Sequence, residues 1–174
     1  MAAVAIFFAA SAVMLPFLIG MIADKKDAGD PRRDVPRVSE RFLERSTNYS
    51  AASLKAWVDA HSPAARWYAW PVLFPLDLFF MVSVAGFCAL GSHALAAPLA
   101  SFPVPLWFLW AFPALYLAFD LIEDVLLFAF LRYPGTITPE RVKAAQFVFL
   151  PKIATFGLSI LQMLGVALVA IFSR

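Results

Sequence analysis

A single cysteine, Cys88, and two histidines, His61 and His93, exclude much of the chemistry that small proteins build on soft ligands. One thiol cannot close an intramolecular disulfide, so it says nothing of redox compartment. Lying inside an apolar run, it reads as a buried structural thiol. A zinc site would lack its usual His/Cys set. The two histidines fall near opposite ends of the apolar segments and cannot jointly ligate a haem. Ser83 and Ser159 have no histidine near them, which argues against a Ser-His-Asp triad. No glycine-rich phosphate loop occurs among the 7 glycines. Charge is scarce as well. Only 15% of residues are Asp, Glu, Lys or Arg, where soluble domains carry about 25%. The formal net charge of +2 is too small to argue for nucleic acid, and no aromatic platform interleaves the basic residues.

Apolar residues fill the space that charge leaves. They make up 62% of the 174 residues, with a mean hydropathy of +0.77 and 18 phenylalanines. Crossing a bilayer takes roughly 20 apolar residues in a helix. Four stretches qualify: Ala3–Ala23, Trp67–Leu95, Val104–Leu131 and Val142–Phe172. The expected fold is therefore all-α, an integral membrane four-helix bundle. Its organisation would be a first span over 1–23, a linker and short helix over 24–66, and a three-span core over 67–174. The first stretch lacks a basic leader, and no clear small-x-small cleavage site precedes Asp24, so a retained span is expected rather than a signal peptide.

Basic residues set the orientation. The segment from Asp24 to Arg66 holds nine Lys/Arg, and the connection between the last two spans adds Arg132, Arg141 and Lys143. The connection Ala96–Pro103 has none. By the positive-inside rule both charged connections face the cytoplasm and both termini face out. Asp24–Asn48 mixes both signs with Pro31 and Pro36 and reads as a solvated linker. Ser50–His61 reads as a short helix with Ser50 as N-cap, its face of Leu54, Trp57, Val58 and His61 laid on the membrane surface. Arg66-Trp67-Tyr68-Ala69-Trp70 reads as an aromatic and basic anchor at the interface.

Five ionisable groups sit where lipid would be. Asp77 lies in the second span, Asp120, Glu123 and Asp124 in the third, and Lys152 in the fourth. A charge at the centre of a spanning helix costs roughly 2.5–3.5 kcal/mol on insertion scales. Asp120, Glu123 and Asp124 follow i, i+3, i+4 spacing and share a helix face, with Tyr116 one turn earlier. Lys152, Thr155, Ser159 and Gln162 form a narrow polar stripe on the fourth span. Asp120 lies 12 residues before Arg132, and Lys152 lies 12 after Glu140. Each count corresponds to about 18 Å of helix, so the two residues are level across an antiparallel pair. Asp77, 11 residues after Arg66, reaches a similar depth. Asp77, Tyr116, Asp120, Glu123, Asp124, Lys152, Thr155 and Ser159 are the candidate ligand-binding or proton-relay residues. If all were ionised, the four acids and one lysine would leave −3. Protonation of one or two carboxylates, a bound cation, or Arg66 or Arg132 reaching inward could resolve the excess. Polar residues can also act only as glue between helices, each pair contributing about 0.6 kcal/mol. Four acids exceed what glue requires.

The pattern resembles a loose group of small bacterial four-span membrane proteins. The matching elements are Asn48-Tyr49-Ser50, Ala65-Arg66-Trp67-Tyr68, Phe74-Pro75-Leu76-Asp77, Asp120-Leu121-Ile122-Glu123-Asp124 and Lys152. The group commonly has an amide where this chain has Asp124. The resemblance spans residues 48–160. It implies that these polar positions form one site and brings no activity with it. The four-span architecture is also similar to the sterol-isomerase-like membrane fold, by analogy alone.

Three functions fit the sequence. The first is binding or transforming a lipophilic or amphiphilic small molecule within the bilayer, with buried acids and a lysine for acid–base work. The second is a proton-coupled carrier component, a unit that would need to form a homo-oligomer. The third is a non-enzymatic assembly or interaction subunit of a membrane complex. No cofactor is indicated.

Overall fold

The computed structural model describes residues 8–15, 18, 49–97, 99 and 104–172. Most of the first apolar stretch and the whole linker Asp24–Asn48 lie outside the described residues, together with the expectations placed on them. Among the described residues the chain is all helical, with no strand. Residues 8–15 are helical, and Phe8 sits against Gly86.

Helix α1 spans Ala51–Ala60, capped by Ser50 in a capping box with Ser53: the Ser53 amide donates to the Ser50 hydroxyl oxygen at 3.1 Å. That arrangement satisfies two of the amides a helix start leaves orphaned. The sequence suggests that the face of Leu54, Trp57 and Val58 lies against the membrane. The structure turns it inward instead. All three side chains are buried in a cluster with Tyr68, Val72, Leu127, Phe130 and Val142. Helix α1 thus sits as a cover on one end of the bundle.

Helix α2, Ser62–Trp67, follows and runs into a segment, Tyr68–Asp77, where the helix unwinds. Trp70 (φ −145°, ψ 119°) and Phe74 (φ −126°, ψ 127°) leave the helical region. Each precedes a proline, Pro71 and Pro75, whose ring pushes the preceding residue toward extended backbone. The break ends at Asp77, so this acid sits where an irregular stretch hands over to helix α3, Leu78–Ala96. Helix α4 covers Leu106–Arg132 and α5 covers Pro139–Phe172, joined by a short turn at Pro134–Thr136. This pair forms the most extensive contact in the fold, and α3 packs on both.

Two helical runs, Ser62–Ala96 and Pro139–Phe172, are long and apolar enough to cross a membrane. The distribution of side chains agrees with an apolar surrounding. Phe147, Leu150, Leu161, Ile171 and Phe172 are all exposed on α5, while Thr155, Ser159 and Gln162 are buried. Soluble proteins rarely leave contiguous apolar surface of this kind uncovered.

The interior is layered. One apolar layer, under α1, contains Leu73, Leu127, Phe130 and Val142. A second contains Met81, Val84, Ala85 and Tyr116, with Phe156 against them. A third contains Leu109, Val166 and Ala170. Polar groups fill the two gaps. Between the second and third layers the Gln162 amide nitrogen donates to the Leu109 carbonyl at 2.9 Å and reaches Ser92 Oγ at 3.4 Å. Pro113 explains the first contact. It has no N–H to give the carbonyl one turn back, at Leu109, so a side chain from the neighbouring helix fills the vacancy. Nearby, α3 and α5 approach so closely at Gly91 that a Cβ there would lie 2.8 Å from the Met163 sulfur.

Candidate functional site

The first gap holds the acids. Following α4 from its end, the buried sequence is Leu131, Phe130 and Leu127, then Asp124, Glu123 and Asp120, then Tyr116. The acid layer is therefore closed above and below by apolar side chains. Asp120 and Glu123 are each 4% exposed and Asp124 2%.

Lys152 enters this layer from α5. Its Nζ lies 2.6 Å from Asp120 Oδ1 and 2.6 Å from Glu123 Oε2. The i, i+3 spacing of the two acids turns both carboxylates to one side, where one ammonium can bridge them. The sequence puts Lys152 level with Asp120 and near the depth of Asp77; the structure pairs it with Asp120 and Glu123. Tyr116 is buried, within hydrogen-bonding reach of Asp120, and its ring lies 5.4 Å from that of Phe156.

Asp124 lacks a cation of its own, and Asp120 Oδ1, although 2.6 Å from Lys152 Nζ, also has no hydrogen-bond partner among the described residues. Asp124 lies within electrostatic range of Asp77, Asp120, Glu123 and Lys152, yet its Oδ2 is buried without a hydrogen-bond partner among the described residues. Such an atom costs roughly 1–3 kcal/mol unless something meets it. Lys152 is already shared by two other acids. Arg66 and Arg132 do not reach in; both line a cavity nearer the α1 end of the bundle.

Thr155 and Ser159 are buried on the same stripe as Lys152, but their hydroxyls turn back on their own helix. Thr155 Oγ1 donates to the Pro151 carbonyl at 2.7 Å, and Ser159 Oγ donates to the Thr155 carbonyl at 2.7 Å. Both are i to i−4 bonds from a hydroxyl back to its own helix, which occupy the hydroxyls without a partner on a neighbouring element. Neither makes a hydrogen bond to the acid cluster. Among the described residues, no group of three or more His, Cys, Asp or Glu side chains is placed to hold a metal ion.

Sequence reasoning missed Tyr49 as a member of the site. It lies 97 positions from Gln146, whose amide nitrogen donates to the Tyr49 carbonyl at 2.7 Å. This bond draws the chain ahead of α1 down onto the acid layer, close enough that Glu123 acts on the phenol. Burial, and secondarily the negative charge of Glu123, push the Tyr49 hydroxyl from 10.0 up to about 12. The folded state thus keeps a proton that the unfolded chain gives up, so stability falls as pH rises from about 10 toward 12. Thermal unfolding across this range should show the fall, and Tyr49→Phe should flatten it. An unchanged slope in the variant would place the titration elsewhere. The only sequence signal was the Asn48-Tyr49-Ser50 motif, which carries no distance information.

Among the described residues, fold and site together define an all-helical arrangement with two membrane-length apolar helices and a buried, acid-rich polar layer. Comparison with family models, curated proteins and solved structures finds no match.

Proposed function

We propose that the chain is a four-span protein of the bacterial inner membrane that binds or transforms a lipophilic or amphiphilic small molecule, whose polar or cationic head meets Asp124. One observation carries this reading: Asp124 Oδ2 is buried without a hydrogen-bond partner while Lys152 is committed to Asp120 and Glu123. An ammonium or hydroxyl donor would satisfy the atom, and a positive charge would offset the acid excess. The apolar layers on both sides of the acids suit the hydrophobic portion of such a ligand. Tyr49 covers the layer from the α1 end.

The test uses the full chain in neutral-lipid nanodiscs. A long-chain primary amine should raise the melting temperature saturably, and the alcohol of the same chain length should do so far less. Asp124→Asn should abolish the amine's advantage. Equal effects of amine and alcohol would refute a cationic head, and an undiminished shift in Asp124→Asn would refute the assignment to Asp124.

The same proposal places both termini outside and the α4–α5 turn in the cytoplasm, from the distribution of basic residues. In a Cys88→Ser background, an impermeant maleimide added from outside should label Ser101→Cys and not Gly135→Cys. The reverse pattern would invert the topology. A second reading, a proton-coupled carrier, draws on the stacking of Asp120, Glu123 and Asp124 along one buried face, the form that membrane proton relays take. Gradient-driven flux in liposomes without any amine-specific binding would favour it. An assembly subunit is less favoured, because the apolar face of α1 is already spent on the bundle.

A further inference from the structure

The arginines that do not neutralise the acid layer enclose a cavity of their own. Arg66 at the end of α2, Trp70 in the unwound segment, and Phe128 and Arg132 near the end of α4 line a space of about 370 Å³. Ligand pockets begin near 300 Å³. A second cavity of about 380 Å³ shares Arg66 and Trp70 and adds Ser62 and Pro63. Among the described residues no acid lines either one, and neither guanidinium forms an ion pair. Two like charges facing one cavity repel unless an anion lies between them.

We infer that this cavity holds the phosphate of an acidic phospholipid of the cytoplasmic leaflet. The inference rests on the membrane orientation proposed above and is independent of the acid layer. Planar guanidinium groups meet phosphate oxygens in bidentate fashion, which lysines cannot do. Basic pockets between spanning helices on the cytoplasmic side suit anionic headgroups. The aromatic walls argue for a lipid over a soluble anion. Trp70 is 63% exposed, and Phe128 is held by an edge-on contact with Phe74 at 5.4 Å. A free phosphate would make no use of either ring, whereas the glycerol and upper acyl carbons of a lipid would lie along them.

The test compares variants of the full chain in phosphatidylcholine nanodiscs doped with phosphatidylglycerol, read by thermal shift and by native mass spectrometry of retained lipid. Arg66→Gln with Arg132→Gln should weaken the phosphatidylglycerol effect roughly 10-fold or more, as loss of charge-assisted hydrogen bonds does. Arg141→Gln with Lys143→Gln removes the same charge from the same side, outside the cavity, and should leave the effect in place. An equal loss in both pairs would reduce the effect to diffuse surface charge and overturn the proposal. If glycerol 3-phosphate in purely neutral nanodiscs gave the same shift, the site would belong to a soluble anion and the lipid assignment would fall. Should the glutamine pair fail to fold, Arg66→Lys with Arg132→Lys decides: it keeps charge and loses the forks, and undiminished affinity there would refute bidentate recognition. The maleimide pattern at Ser101→Cys and Gly135→Cys reads the orientation separately, so a wrong topology and a wrong site are distinguishable.

Discussion

Lys152→Met is expected to lower thermal stability more than any other single substitution in the polar layers. Lys152 is the one cation in contact with the acid layer among the described residues, and it bridges Asp120 and Glu123 at 2.6 Å each. Both acids are almost wholly buried, with side chains 5% and 6% exposed. Methionine keeps the volume of the alkyl stem and removes only the charge. What remains is two carboxylates without a local counter-charge, a change that typically costs about 3–5 kcal/mol. The loss arises from the acids left behind, so removing their charge should return part of it. Lys152→Met combined with Asp120→Asn and Glu123→Gln is expected to unfold well above Lys152→Met alone in detergent. If no neutralising combination recovers stability, the lysine acts through packing and the ion-pair account is wrong.

Asp124→Asn is expected to act in the opposite direction. The variant replaces an acid with a neutral amide of nearly the same shape, in a layer where Lys152 already serves two other carboxylates. Its amide nitrogen can donate to a neighbouring carboxylate, which an ionised aspartate cannot do. Removing a buried, partnerless carboxyl oxygen is expected to raise ligand-free stability by about 1–3 kcal/mol. Where activity needs a destabilised group, replacing that group stabilises the fold at the expense of function. Thermal unfolding of the two proteins side by side, without added amphiphile, measures this. A loss as large as that of Lys152→Met would mean that Asp124 has a partner that holds the bundle together, and its role would be structural.

Much of this arrangement is legible along the chain because helices convert sequence distance into length. Equal counts of 12 residues from Arg132 and from Glu140 put Asp120 and Lys152 level, and the two meet as an ion pair. The i, i+3, i+4 spacing likewise places Asp120, Glu123 and Asp124 on one buried face. Two things escape such counting. Helical periodicity identifies the apolar face of α1 but not what covers it, because lipid and protein reward the same residues. The approach of Tyr49 to Glu123 depends on a contact with Gln146 across 97 positions, and no local rule encodes it. Thr155 and Ser159 show a further limit. Polar periodicity places them on the buried stripe, yet each hydroxyl is spent on a carbonyl of its own helix. The unwinding before Asp77 is readable from Pro71 and Pro75, but whether the chain bends or breaks there depends on the packing around Trp70 and Phe74.

The central claim is that the buried layer carries more acid than its lysine can balance. Infrared spectroscopy of the ligand-free chain in neutral-lipid nanodiscs tests it most directly, through the C=O stretch of protonated carboxyl groups at neutral pH. Asp120 and Glu123 share Lys152, which leaves Asp124, at the same level of the bundle, without that cation. The account predicts a protonated carboxyl band that persists at neutral pH and disappears in Asp124→Asn. A spectrum in which every carboxyl is ionised, with no bound cation present, would contradict it and would require these acids to reach water separately.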